Sequence, residues 1–196
     1  ATMHILNTKK GTYFIADTLI NRHPDQNVLY DIARLSSKAV KFFNVDPVIA
    51  MISYSNFGTD EVGSPQKVHA AVAQLQHDFP DMAVDGEMQV NFALNKELRD
   101  DKYPFNALKG KDVNTLIFPN MSSANGSYKL LQALDPDAEI IGPIHTKGYR
   151  ERARQQERHL RHIHFTDFES SVRDIVNITA VAVIDAYVEK IKTKGL

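Results

Sequence analysis

The feature that most constrains the fold is a set of short, unbroken apolar runs, separated by stretches of helical period. Val48 to Ile52 reads VIAMI and Leu116 to Phe118 reads LIF, with no polar residue at alternate positions. Strands of this kind must be covered on both faces, as in a parallel sheet between layers of helices. The intervening sequence agrees. Asp25 to Phe43 places Val28, Leu29, Ile32, Leu35, Ala39, Val40 and Phe43 on one helical stripe, and Asp46-Pro47 stops it. Ser64-Pro65 reads as an N-cap with proline at the first helical position, opening a helix to about Asp78. MAVDGE and AEIIGPI give further strands, and MHILN and TYFIAD flank a hairpin turn at Lys9-Lys10-Gly11. The expected fold class is α/β, a mostly parallel sheet with helices on both faces.

Three regions are expected: an α/β unit over 1–144, a basic excursion over 145–169 and a closing helix over 170–196. The excursion is rich in Lys, Arg and His and poor in apolar residues, as in a solvated helix or loop. The closing helix is the opposite. DIVNITAVAVIDAYVEKI is apolar on nearly every face, so it is expected either at the centre of the core or in a subunit interface.

Ligands of parallel α/β sheets bind at the carboxyl ends of the strands. Here those ends lead into Tyr54–Gly63, Asp85–Glu87 and Asn120–Gly126. The last opens a helix from a buried strand. Its unpaired N–H groups suit an anion, Ser122, Ser123 and Asn125 add hydrogen-bonding side chains, and Lys129 adds a charge one turn beyond Gly126. The competing reading is that Ser and Asn simply cap the helix, since no P-loop or dinucleotide fingerprint is present. SYSNFGTDEVGSP, rich in hydroxyls, is a site or a surface loop. Asp85 and Glu87 are an acid–base pair, or an Asp-Gly turn followed by a helix's first turn. His159, His162 and His164 alternate with Arg and read as surface rather than metal ligands.

Composition closes several doors. The chain has no cysteine, which excludes disulfides and thiolate catalysis and fits a cytoplasmic protein. A net charge of -1 and a basic stretch without interleaved aromatics argue against nucleic acid. No apolar run is long enough to span a bilayer, and no signal peptide opens the sequence. Because it starts in what reads as a strand, a piece of a longer protein is expected.

Seven stretches, in order, resemble the phosphate acetyltransferase / phosphate butyryltransferase family: FIADTLIN, IAMISYSNFG, SPQKVHAA, PDMAVDGEMQVNFALN, DVNTLIFPNMSSANGSYKLLQAL, EIIGPI and SSVRDIVNITAVAVIDA. SYSNFG and SSVRDIVN look closest to the phosphotransacetylase-like C-terminal domain of bacterial NADP-dependent malic enzymes. The resemblance implies an isocitrate-dehydrogenase-like fold, of which this chain would be a fragment of a two-subdomain unit. It also implies a homodimer or higher oligomer, and a coenzyme A site. Acetyl-CoA would be an effector, while NADP and a divalent metal would serve only domains absent from this sequence. Ser122, Ser123, Asn125, Lys129, Ser171 and Asp174 would gather at helix N-termini to meet acyl-CoA or phosphate, with no catalytic and no metal-binding residue. The family's transferases carry a Ser-Arg pair shortly before their DIV motif, where this chain has Asp167 and Phe168. They carry an arginine where it has Ala133. Two phosphate-facing charges are therefore missing, which argues against group transfer. An active phosphate acetyltransferase and a purely structural assembly module are the alternatives.

Overall fold

The computed structural model describes residues 1–146, 166 and 170–194, with 188–194 by backbone alone. The strands are β1 (Thr2–Thr8), β2 (Gly11–Ala16), β3 (Ile49–Ile52), β4 (Val84–Met88), β5 (Thr115–Ile117) and β6 (Glu139–His145). The helices are α1 (Gln26–Phe42), α2 (Ser64–Asp78), α3 (Val90–Ala93), α4 (Lys96–Lys102), α5 (Met121–Leu134) and α6 (Val172–Lys194). They form one six-stranded sheet in the order β4-β3-β5-β2-β1-β6. β4, β3, β5 and β2 run parallel, and β1 alone opposes its neighbours. The sheet is thus mostly parallel, as its apolar runs require.

Two layers cover it. Met3, Ile5, Phe14, Ile49, Met51, Val84 and Ile117 pack against α1 and α2, and Ile178 of α6 joins them. Leu6, Ile15, Ala50, Ile52, Leu116 and Met88 face the other way, against Ala93, Ala124 and Tyr128. All of β3 and β5 is buried, which explains why neither strand alternates. Each such aliphatic side chain stabilises the fold by about 1.5–3 kcal/mol. The α1 stripe buries Leu29, Ile32, Leu35 and Val40, with Asp25 accepting the Val28 N–H as cap.

Three local expectations need correction. Ser64 is not the α2 cap. Gly63, at φ 70°, takes that place and Ser64 is already helical. Asp85-Gly86 is not a turn and Glu87 does not open a helix, because all three lie in buried β4. The closing helix is not at the centre of the core. Ile178 and Asp185 are buried, whereas Ile175, Val176, Val183, Ile184 and Tyr187 of α6 are exposed. The 145–169 excursion lies almost wholly outside the described residues, with Asp167, Phe168, His159, His162 and His164. Its first residue belongs to the sheet, where His145 pairs with Thr2, and the next, Thr146, is buried and donates to the Ala1 carbonyl.

Candidate functional site

The parallel strands β2, β3, β4 and β5 end along one crest. Four segments leave it: residues 17–25, 53–63, Gln89, and 118–120. The first is pinned from beneath. Asp17, buried, accepts the Thr2 N–H at 2.9 Å, the Thr2 hydroxyl at 2.7 Å and the Asn21 N–H at 2.9 Å. Burial pushes its carboxyl up, but these donors outweigh burial and hold it below the ordinary aspartate range. Thr18 links Thr2 to Nδ1 of His4, whose ring stacks on Tyr128 of α5 at 4.1 Å.

The 53–63 segment uses its hydroxyls internally. Ser53, Ser55 and Asn56 are buried. Ser55 Oγ shares a hydrogen bond of 2.8 Å with Thr59 Oγ1, and Asn56 Oδ1 accepts the Gln89 N–H at 2.8 Å. It is a scaffold loop built around β4. Asp85, likewise, is turned inward to the Ala107 and Gly86 N–H groups. Burial raises its carboxyl against those donors and the charge of Arg99. Asp85 therefore belongs to the frame, and Asp85 and Glu87, both buried, do not form a solvent-facing acid–base pair.

Lys67 ties the crest together. From the first turn of α2 its Nζ donates to the carbonyls of Pro24 at 2.8 Å and Pro119 at 2.9 Å. Burial pulls this ammonium below its ordinary range, against partial support from Asp25. Sequence reading missed it. Its partners lie 43 and 52 residues away, and nothing local marks it.

Pro119 delivers the chain into α5. Asn120 caps the helix by accepting the Ser123 N–H at 2.9 Å. That leaves the Met121 and Ser122 N–H groups without an intrahelical acceptor. Ser123 Oγ is spent on the Asn120 carbonyl. Asn125 Nδ2 reaches the Thr18 carbonyl and the Tyr128 hydroxyl, each at 3.4 Å, and the Lys129 ammonium lies 5.8 Å from the Tyr128 ring centroid. Ser122, Asn125, Gly126 and Lys129 are spaced three or four residues apart, so they share one face of α5. Ser122 and Gly126 are exposed, and a Cβ at Gly126 would meet nothing within 4 Å. The face is open.

Ser171 and Asp174 are elsewhere. Ser171 caps α6 and exchanges hydrogen bonds with Asp174: the Ser171 N–H and hydroxyl donate to Asp174 Oδ2 at 2.8 and 2.7 Å. Arg173 pairs with Glu139, which lies opposite Asn7 at the far end of β1 and β6 from the crest. α6 also covers the α1 side of the sheet, whereas Ala124 and Tyr128 of α5 pack on the other. Within one chain, then, Ser122, Ser123, Asn125 and Lys129 lie along the first turns of α5, which leaves the crest, and Ser171 and Asp174 cap a helix at the opposite end. Beneath α6 lies an apolar cleft of about 310 Å³, lined by Ile5, Phe14, Phe43, Ile141, Ala180 and Val181. Among the described residues, no group of three His, Cys, Asp or Glu is placed to hold a metal ion, and no helix is long and apolar enough to cross a membrane.

The family description phosphate acetyl/butaryl transferase matches residues 1–183. The chain belongs to this family. It is 34% identical over 184 residues to the NADP-dependent malic enzyme of Escherichia coli, covering 94% of this chain and 23% of that protein. It is 33% identical over 179 residues to the phosphate acetyltransferase of Clostridium acetobutylicum, covering 91% of this chain and 50% of that one. Among solved structures, a phosphotransacetylase from Streptococcus pyogenes superposes with a TM-score of 0.77 at 29% identity, over 96% of this chain and 54% of that one. This chain thus spans about a quarter of the malic enzyme and half of the transferase. As a family member it keeps the α/β frame and carries Ala133 in α5, where the resemblance places an arginine.

Proposed function

We propose that this chain is the phosphotransacetylase-like module of an NADP-dependent malic enzyme, binding acetyl-CoA as a regulatory effector and helping to assemble the oligomer. The observation that carries this reading is the near-complete coverage of this chain, and only 23% coverage of the relative, in the malic enzyme match. Malate decarboxylation to pyruvate, NADP and the divalent metal belong on this reading to other domains. The ligand's phosphates would meet the Met121 and Ser122 N–H groups, with Ser122, Ser123, Asn125 and Lys129 around them. The open side of Gly126 supports close approach there. Glycine inside a helix costs about 0.5–1 kcal/mol relative to alanine, and no packing neighbour among the described residues explains it.

Ala133 supports binding without group transfer, since removing a positive charge from a phosphoryl site takes away transition-state stabilisation. The second reading, an active phosphate acetyltransferase, draws on the transferase match. It predicts acetyl phosphate formation from acetyl-CoA and phosphate by the intact protein. Assembly draws on α6, where Val176 and Val183 are 60% and 62% exposed. Apolar surface of that extent on one helix suits burial against a second copy.

The test is inhibition of the full-length enzyme's malate oxidation by acetyl-CoA. Asn125→Ala combined with Lys129→Ala is expected to raise the half-inhibiting concentration roughly tenfold, equivalent to about 1.4 kcal/mol, and to leave uninhibited turnover unchanged. Inhibition identical to wild type would show that the effector does not sit on α5. Loss of assembly on deleting the module, with no acetyl-CoA effect on the wild-type enzyme, would favour a purely structural module.

A further inference from the structure

β4 carries one residue more than β3 at the crest: Met51 pairs with Gly86 and Ile52 with Met88, which leaves Glu87 between them. A bulge of this kind re-aims a side chain out of the strand's alternation. The Glu87 side chain is fully buried. Its Oε1 accepts the Gly58 N–H at 2.7 Å and the Ser55 hydroxyl at 3.3 Å. Among the described residues, its Oε2 has no hydrogen-bond donor. A buried carboxylate oxygen left unpaired is costly, and such groups mark sites that something else completes.

The group facing Oε2 is Nδ1 of His69 on α2, at 3.4 Å and out of line for a hydrogen bond. The imidazole is 61% exposed. Of the other ionisable groups of these elements, Lys67 is engaged with Pro24 and Pro119, Asp85 with Gly86 and Ala107, Asp60 with Tyr54 and the Val62 N–H, and His77 with Asp78, while Glu61 is exposed. With Nδ1 against the carboxylate, the protonated ring presents Nε2–H at its opposite edge as a charge-assisted donor. Lys67, on another face of α2, touches the carbonyl of Pro119, immediately before the α5 cap, so the start of α2, which carries both residues, reaches the crest where α5 begins.

We propose that His69, backed by the buried Glu87, is a ligand-contacting residue that gives its Nε2–H to a phosphate group of the ligand held at this crest. The proposal rests on the acyl-CoA reading above. It supplies, from α2, a hydrogen-bond donor for phosphate in a chain that carries Ala133 on α5. Ligand binding would draw the ring into line with Oε2 and complete the pair, as hydrogen bonds that are long in a free site tighten in the complex.

The experiment is titration calorimetry of the full-length protein with acetyl-CoA, 3′-dephospho-acetyl-CoA and inorganic phosphate, at about pH 6 and about pH 8. Wild-type affinity for acetyl-CoA is expected to be higher at the lower of the two pH values, where a ring carrying both protons donates from Nε2 while Nδ1 faces Oε2. His69→Gln should bind roughly tenfold more weakly at the lower pH and lose that pH dependence. Glu87→Gln keeps the acceptor for Gly58 and should also flatten the profile. Weakening retained with the dephospho ligand assigns the contact to the pyrophosphate, and weakening confined to acetyl-CoA assigns it to the 3′-phosphate. Weakening seen with inorganic phosphate as well assigns the site to a free anion. A purely structural role would lower thermal stability and leave the pH profile of binding intact, overturning the proposal. So would wild-type affinity in His69→Gln at both pH values. If wild type binds no acetyl-CoA at all, the acyl-CoA reading fails, and this one with it.

Discussion

Replacing Arg99 by alanine is expected to destabilise the chain by about 3–5 kcal/mol, the range for stripping a buried charged partner from its hydrogen bonds. Arg99 on α4 is fully buried. One guanidinium nitrogen donates to the carbonyls of Leu108 at 2.9 Å and Lys111 at 2.8 Å, and Nε donates to Asp100 at 3.1 Å. These bonds hold the segment between α4 and β5 against the sheet, and the same charge lies near Asp85. Alanine would leave carbonyls unpaired, open a cavity and let burial push the Asp85 carboxyl further up. Lysine keeps the charge but has no planar fork to span two carbonyls, so its loss should be intermediate. Urea unfolding at constant slope gives both numbers. An Arg99→Ala midpoint close to wild type would mean that this segment is held by other contacts.

Gly86→Ala is expected to cost at least about 3 kcal/mol, and the variant is expected to unfold or precipitate at ordinary temperature. A Cβ at this position would lie 2.5 Å from the Met51 carbonyl oxygen and 3.0 Å from the Met51 Cβ. Met51 is fully buried in β3, which is hydrogen-bonded between β4 and β5 and has nowhere to retreat. The φ of 144° at Gly86 is itself one that side chains rarely adopt. Alanine at exposed Gly126 is the contrast, with no neighbour to meet, and should keep or gain slightly in stability. A wild-type midpoint for Gly86→Ala would show that β3 and β4 can separate locally.

The fold was legible in the sequence because its signals are local. An unbroken run as short as VIAMI, bounded by Asp46-Pro47, fits a strand covered on both sides, and the α1 stripe reports its period within one helix. Errors arose where a distant partner decides. Asp85-Gly86 carries a turn signal, yet Gly86 is the residue that lets β4 pass Met51. The apolar composition of α6 shows that its faces avoid water without showing what covers them, and within this chain much of that surface stays exposed. The positions of the candidate residues were legible in part. Helix-capping chemistry located Ser122, Ser123 and Asn125 at the crest, but placed Ser171 and Asp174 with them by resemblance alone. Lys67, Asp17 and Glu87 act through residues far along the chain, and single-sequence periodicity has no term for them.

The account turns on one binding event, and titration calorimetry of acetyl-CoA into the full-length protein that contains this chain measures it directly. The account predicts saturable binding, weakened by the Asn125→Ala, Lys129→Ala pair and accompanied by no acetyl phosphate formation when phosphate is added. No heat of binding, or turnover to acetyl phosphate, would contradict it.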